Sequence, residues 1–78
     1  MNDEAKLAIE QAICNLQSQI SAAEEAVVTE AKADGEEPNK WCVKNAGNAQ
    51  RTAILQIRRC VAVFELHSQL TNLFNAVE

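Results

Sequence analysis

Cys60 and His67 are the residues of this 78-residue chain from which nucleophilic chemistry would be built. A cysteine nucleophile needs a base within hydrogen-bond reach to take its proton. On one helix their separation is two turns, roughly 10.5 Å along the axis, too far for either to activate the other. His67 is the single histidine of the chain. It falls near the edge of an apolar stripe, where a packed or hydrogen-bonded histidine is the ordinary occupant. Zinc asks for about four N, S or O ligands in compact spacing. Cys14, Cys42 and Cys60 are scattered and form no CxxC pair. Glu24-Glu25 and Glu36-Glu37 are adjacent carboxylates, and neighbours on a helix diverge by about 100° instead of converging. A di-iron set of Glu and ExxH motifs is missing, as are a phosphate-cradling glycine loop and GxSxG. The expectation is a non-enzymatic protein with no catalytic residue, no metal and no cofactor.

The elements that would carry these residues are helices. Ala, Glu, Gln, Leu and Ile dominate, and both glycines and the proline fall between residues 35 and 47. Ile9, Ile13, Leu16, Ile20, Ala23 and Val27 alternate spacings of four and three, a sustained heptad stripe that Ala5 and Ala31 extend. This spacing predicts a first helix over 3–33, roughly 45 Å long. Asn2 or Asp3 can cap its start and Gly35 can stop it. Residues 34–39 read as a loop. A second helix is expected over 40–76, capped by Asn39, with Gly47 a lone weak point. A bend or a short third helix from Leu70 is the alternative reading near "HSQLTN". A short loop makes long helices antiparallel neighbours. A turn centred near residue 37 would set Asp3 level with Thr71. The whole of 1–78 is thus expected to be one all-α helical-hairpin domain.

Size then poses a problem. A chain this short buries only about 60% of its unfolded surface, so its core is marginal without a disulfide, a metal or a partner. Three cysteines are an odd number for a disulfide framework and suit a reducing compartment. Met1-Asn2-Asp3-Glu4 is an acidic start, unlike a signal peptide, and no run of about 18 apolar residues suggests a membrane span. A soluble, cytoplasmic protein is expected. Its net charge of −4 is uneven: about −7 over residues 1–37 and about +3 over 38–78.

At about 100° per residue the second helix shows three faces. Ala46, Ala53, Ile57, Val61 and Phe64, with Cys60 at the edge, form a stripe to pack on the first helix. Val63, Leu66, Leu70, Leu73 and Val77, with Phe74 beside them, form another, roughly 150° away. An apolar stripe this large calls for a cover. Self-association into a four-helix or larger bundle, most simply as a dimer, would supply one, and so would a different protein target. Lys40, Lys44, Arg51 and Arg58 form a basic stripe expected on the solvent side, with Trp41 near its start.

The leading functional expectation is therefore protein–protein interaction: a small regulator, adaptor or inhibitor that works by occupying a surface. A hairpin that dimerises into a four-helix bundle resembles Rop, an RNA-binding regulator, in architecture alone. That resemblance implies phosphate contacts from Lys40, Lys44, Arg51 and Arg58. The acidic total charge and the scarcity of aromatic residues weigh against nucleic acid. A second alternative is an oligomeric sponge for a small anionic ligand, with Trp41 and the basic stripe lining its site.

Overall fold

The structure, a computed structural model, describes residues 1–77. Three helices make a hairpin: α1 over Asp3–Ala33, α2 over Lys40–Asn45 and α3 over Asn48–Val77. The α1 start is capped by Asn2, whose side-chain oxygen accepts from the Ala5 amide at 2.8 Å. Asp3 and Glu4 in the first turn complement the helix dipole. At the other end Gly35 takes φ +73°. Its amide donates to the Lys32 carbonyl at 3.1 Å, and the Glu36 amide donates to the Ala31 carbonyl at 2.9 Å. These paired bonds are a Schellman closure, which needs a left-handed residue and so favours glycine. Asn39 caps α2 by accepting from the amides of Trp41 and Cys42.

The expected single second helix is interrupted at Ala46–Gly47. The Ala46 amide reaches only to Val43, a tightened turn, and regular helix resumes with Arg51 donating to Gly47. Asn45 and Asn48 explain the break, because short amide side chains compete for backbone groups. The Asn45 amide donates to the Trp41 carbonyl at 2.8 Å, and the Asn48 amide donates to the Asn45 side chain at 2.6 Å. Beyond the break α3 continues to Val77, so no separate helix begins at Leu70.

The break brings Gly47 against Ile20. A Cβ placed on Gly47 would lie 2.8 Å from both Cγ atoms of Ile20. Gly47 is a point of close approach, and it is buried. The α1 stripe packs as expected: Ala5, Ile9, Ile13, Leu16, Ile20, Ala23, Val27 and Ala31 are all half-buried. Opposite them stand Val43, Gln50, Ala53, Ile57 and Val61, half-buried, and Ile54, 7% exposed. The expected stripe on the second helix is corrected by Ile54 and Phe64. Ile54 lies at its centre, whereas Phe64 is 50% exposed and Cys60 is exposed. Phe64 stands beside Glu65, at the level where α1 begins, so little of α1 is left to cover it.

The facing register also differs. Met1, Lys6, Ile9 and Glu10 share a shallow hollow with Val61 and Glu65. The start of α1 therefore lies near Glu65, and α3 overhangs earlier than a pairing of Asp3 with Thr71 implies. The molecule is 70 Å long with a radius of gyration of 19.2 Å. A compact chain of this length would have a radius of about 11–12 Å.

Replacing Gly47 with Val should cost about 1–3 kcal/mol, as overpacking does. The β-branched Ile20 has little rotamer freedom with which to yield. Urea denaturation would show a lower midpoint. Gly47→Ala should lose less, because it sets one methyl against Ile20 where valine sets three carbons.

Candidate functional site

Two surfaces carry the residues singled out by the sequence. The first is the C-terminal arm of α3. Val63, Leu66, Leu70, Leu73, Phe74 and Val77 are between 45% and 80% exposed. On the α3 wheel their centre lies roughly 180° from the Ile54–Ile57–Val61 line that faces α1. This stripe thus points away from α1 even where the two helices run side by side, and it continues along the overhang. Leu73, Phe74 and Val77 also line a small hollow of about 160 Å³ at the tip. Leu7 and Leu55 are further exposed apolar side chains.

The elongated shape also shows in the total surface. A compact protein of 8.6 kDa exposes about 4,700 Å². This chain exposes 6324 Å². The excess, roughly 1,600 Å², is spread over the whole length of an open two-helix hairpin.

The second surface is at the turn end. A cleft of about 680 Å³ is lined by Glu24, Lys32, Glu36, Glu37, Pro38, Lys40, Val43, Lys44 and Arg51. Lys40, Lys44 and Arg51 are brought together there, joined by Lys32 from α1, which sequence reasoning did not include. Arg58 is not part of the cleft. With Arg51 it borders a neighbouring hollow beside Gln17, Ile20, Ile54 and Leu55. Lys40, Lys44, Arg51 and Arg58 are all exposed, and they border the groove between the helices. Trp41 is 72% exposed and is not among the residues lining the cleft.

Arg51 already has partners. One guanidinium nitrogen lies 2.6 Å from Glu24 Oε1. The other donates to the Lys44 carbonyl at 2.8 Å and to Asn48 Oδ1 at 3.1 Å. Arg51 thus caps a carbonyl released by the α2–α3 break and ties α3 to α1. An anionic partner would have to compete with Glu24 for it. Cys14, Cys42 and Cys60 are free and exposed, and His67 is exposed too. Among the described residues no three His, Cys, Asp or Glu side chains gather as metal ligands. No helix there is long and apolar enough to cross a membrane.

Comparison with protein-family models, curated proteins and solved structures gave no match.

The Arg51–Glu24 pair is about two-fifths exposed on each side, so its stability contribution should be small. A double-mutant cycle with Arg51→Ala and Glu24→Gln should return a coupling of about 0.2–1 kcal/mol. The measurement is chemical denaturation at low and high salt, and the coupling should shrink with salt.

Proposed function

We propose that the chain is a non-catalytic protein–protein interaction module, a small regulator, adaptor or inhibitor that acts by occupying a surface. The observation that carries this reading is the uncovered stripe Val63–Leu66–Leu70–Leu73–Val77, directed away from α1. Exposed apolar patches of this size mark association surfaces on soluble proteins. Leucines at helical spacing are the usual anchors when one helix lies in a groove or joins a bundle. Association through this arm, with another hairpin or with a different protein, would cover the stripe. Three free, exposed cysteines fit a reducing, cytoplasmic setting.

The turn-end cleft supports a second reading. Lys32, Lys40 and Lys44 converge there around Pro38 and Val43, which suits a small anionic ligand with an apolar part. Glu24, Glu36 and Glu37 line the same cleft and oppose it. The Rop-like reading is weaker still, since Arg51 is engaged by Glu24 and Arg58 stands apart.

Leu70→Asp combined with Leu73→Asp should abolish association while circular dichroism keeps most of its helical signal, because neither side chain contributes to the α1 seam. Light scattering on the size-exclusion peak, with a pull-down from lysate, reads the outcome. Assembly and binding that survive both substitutions would overturn the reading.

A further inference from the structure

Resting on the reading of the α3 arm as an association surface, we infer that its occupant is a second copy of this chain, paired antiparallel through the arm. The stripe residues 63, 66, 70, 73 and 77 alternate spacings of three and four. That is the a/d pattern of a two-stranded coiled coil, with Val63, Leu70 and Val77 at a and Leu66 and Leu73 at d. A helix in a groove needs only a few anchors. A strict heptad seam asks for a second seam of the same period, and this chain supplies one.

Charge favours the same occupant. Between Cys60 and Val77 the only charged side chain is Glu65, which lies roughly 130° around the helix from the centre of the seam. Two copies of an acidic chain can therefore meet here without setting like charges against each other. The positions flanking the seam are Ala62, His67, Gln69, Phe74 and Ala76, all formally uncharged. The surface area points the same way. All five seam residues are 45–80% exposed, so a second arm has apolar surface along the whole seam to cover.

Orientation follows from the other half of the hairpin. Residues 1–37 carry a formal charge of about −7. Parallel arms would hold the two hairpin bodies at the same end, bringing these acidic segments near each other and stacking Arg59 on its own copy. Antiparallel arms send the bodies to opposite ends of one rod. In antiparallel coiled coils a positions pack against d positions of the other strand. The register that uses the whole stripe sets Val63 against Leu73 of the partner subunit and Leu66 against Leu70 of the partner subunit. The Arg59 stem then lies over Val77 of the partner subunit, its guanidinium free to reach solvent. The two-fold axis passes at the level of Ser68. His67 then neighbours its own copy on one flank, and Gln69 neighbours its own copy on the other.

The test is disulfide trapping in the full chain with Cys14, Cys42 and Cys60 changed to Ser, all three being exposed. His67→Cys and Gln69→Cys are introduced separately and oxidised mildly. Both sit outside the α1 seam, and circular dichroism checks each variant. The expected result is a doubled mass by light scattering before oxidation. Most of the chain should then become a covalent dimer at either position, while Val63→Cys stays uncrosslinked. Crosslinking at Val63→Cys but not at 67 or 69 would show parallel strands and overturn the orientation. A wild-type chain that stays monomeric over the concentration series would overturn self-pairing. Capture of another protein that Leu70→Asp abolishes would then leave the arm's role as an interaction surface standing. A dimer indifferent to both Leu70→Asp and the cysteine positions would overturn the two readings together.

Discussion

Two helices share a single seam, and a single seam excludes water from one side of each. That constraint governs the whole molecule. The α1 stripe from Ala5 to Ala31 is half-buried along its length, and Ile54 is the one large apolar residue withdrawn from solvent. A layered domain closes its core by adding elements on the open side. Among the described residues the hairpin adds no such element. Folding must offset the ordering of every residue, at roughly 1–2 kcal/mol of backbone entropy each, with few fully desolvated side chains in return. Stability and association are therefore linked: whatever binds the folded hairpin and not the unfolded chain stabilises it by mass action.

Gly47 and Arg51 act together within this frame. The break between α2 and α3 lets the chain come close to Ile20, which an uninterrupted helix with a side chain at 47 could not do. It also releases carbonyl groups that a continuous helix would have used. Arg51 takes up one of them, that of Lys44. The same guanidinium then reaches Glu24. A basic residue that invites reading as a ligand contact is thus also part of the joint that holds the turn end closed.

Much of this was legible in the residues. The α1 heptad, the Asn2 and Asn39 caps and the Gly35 stop each rest on local chemistry, and each stands where spacing places it. The interruption at Gly47 was harder to read. One glycine is tolerated within a helix, and the competing bonds of Asn45 and Asn48 show only once the turn is formed. Ile54 stands beside Ile20, mid-way along α1, whereas Phe64 lies level with the start of α1, and that level depends on the register of the hairpin. Lys32 was missed at the cleft because a loop decides which side chains of α1 meet those of α2, and helical periodicity does not cross a loop. The arm stripe was visible as a surplus of leucines. That it faces away from α1 needed the position of α1 itself.

The two ends of the hairpin close loops of very different length. Near Gly35 the helices are joined by a few residues, whereas Ile9 and Val61 meet only after most of the chain has intervened. The entropy needed to close a loop grows with the logarithm of its length. Pairing that zips from the turn closes only a short loop at each step, and the last pairs, supported from one side alone, are the first to fray. The arm that bears the apolar stripe grows from that fraying end. Ordering the arm and completing the hairpin are neighbouring steps on one zipper, so a molecule that grips the arm also tightens the last turns of α1.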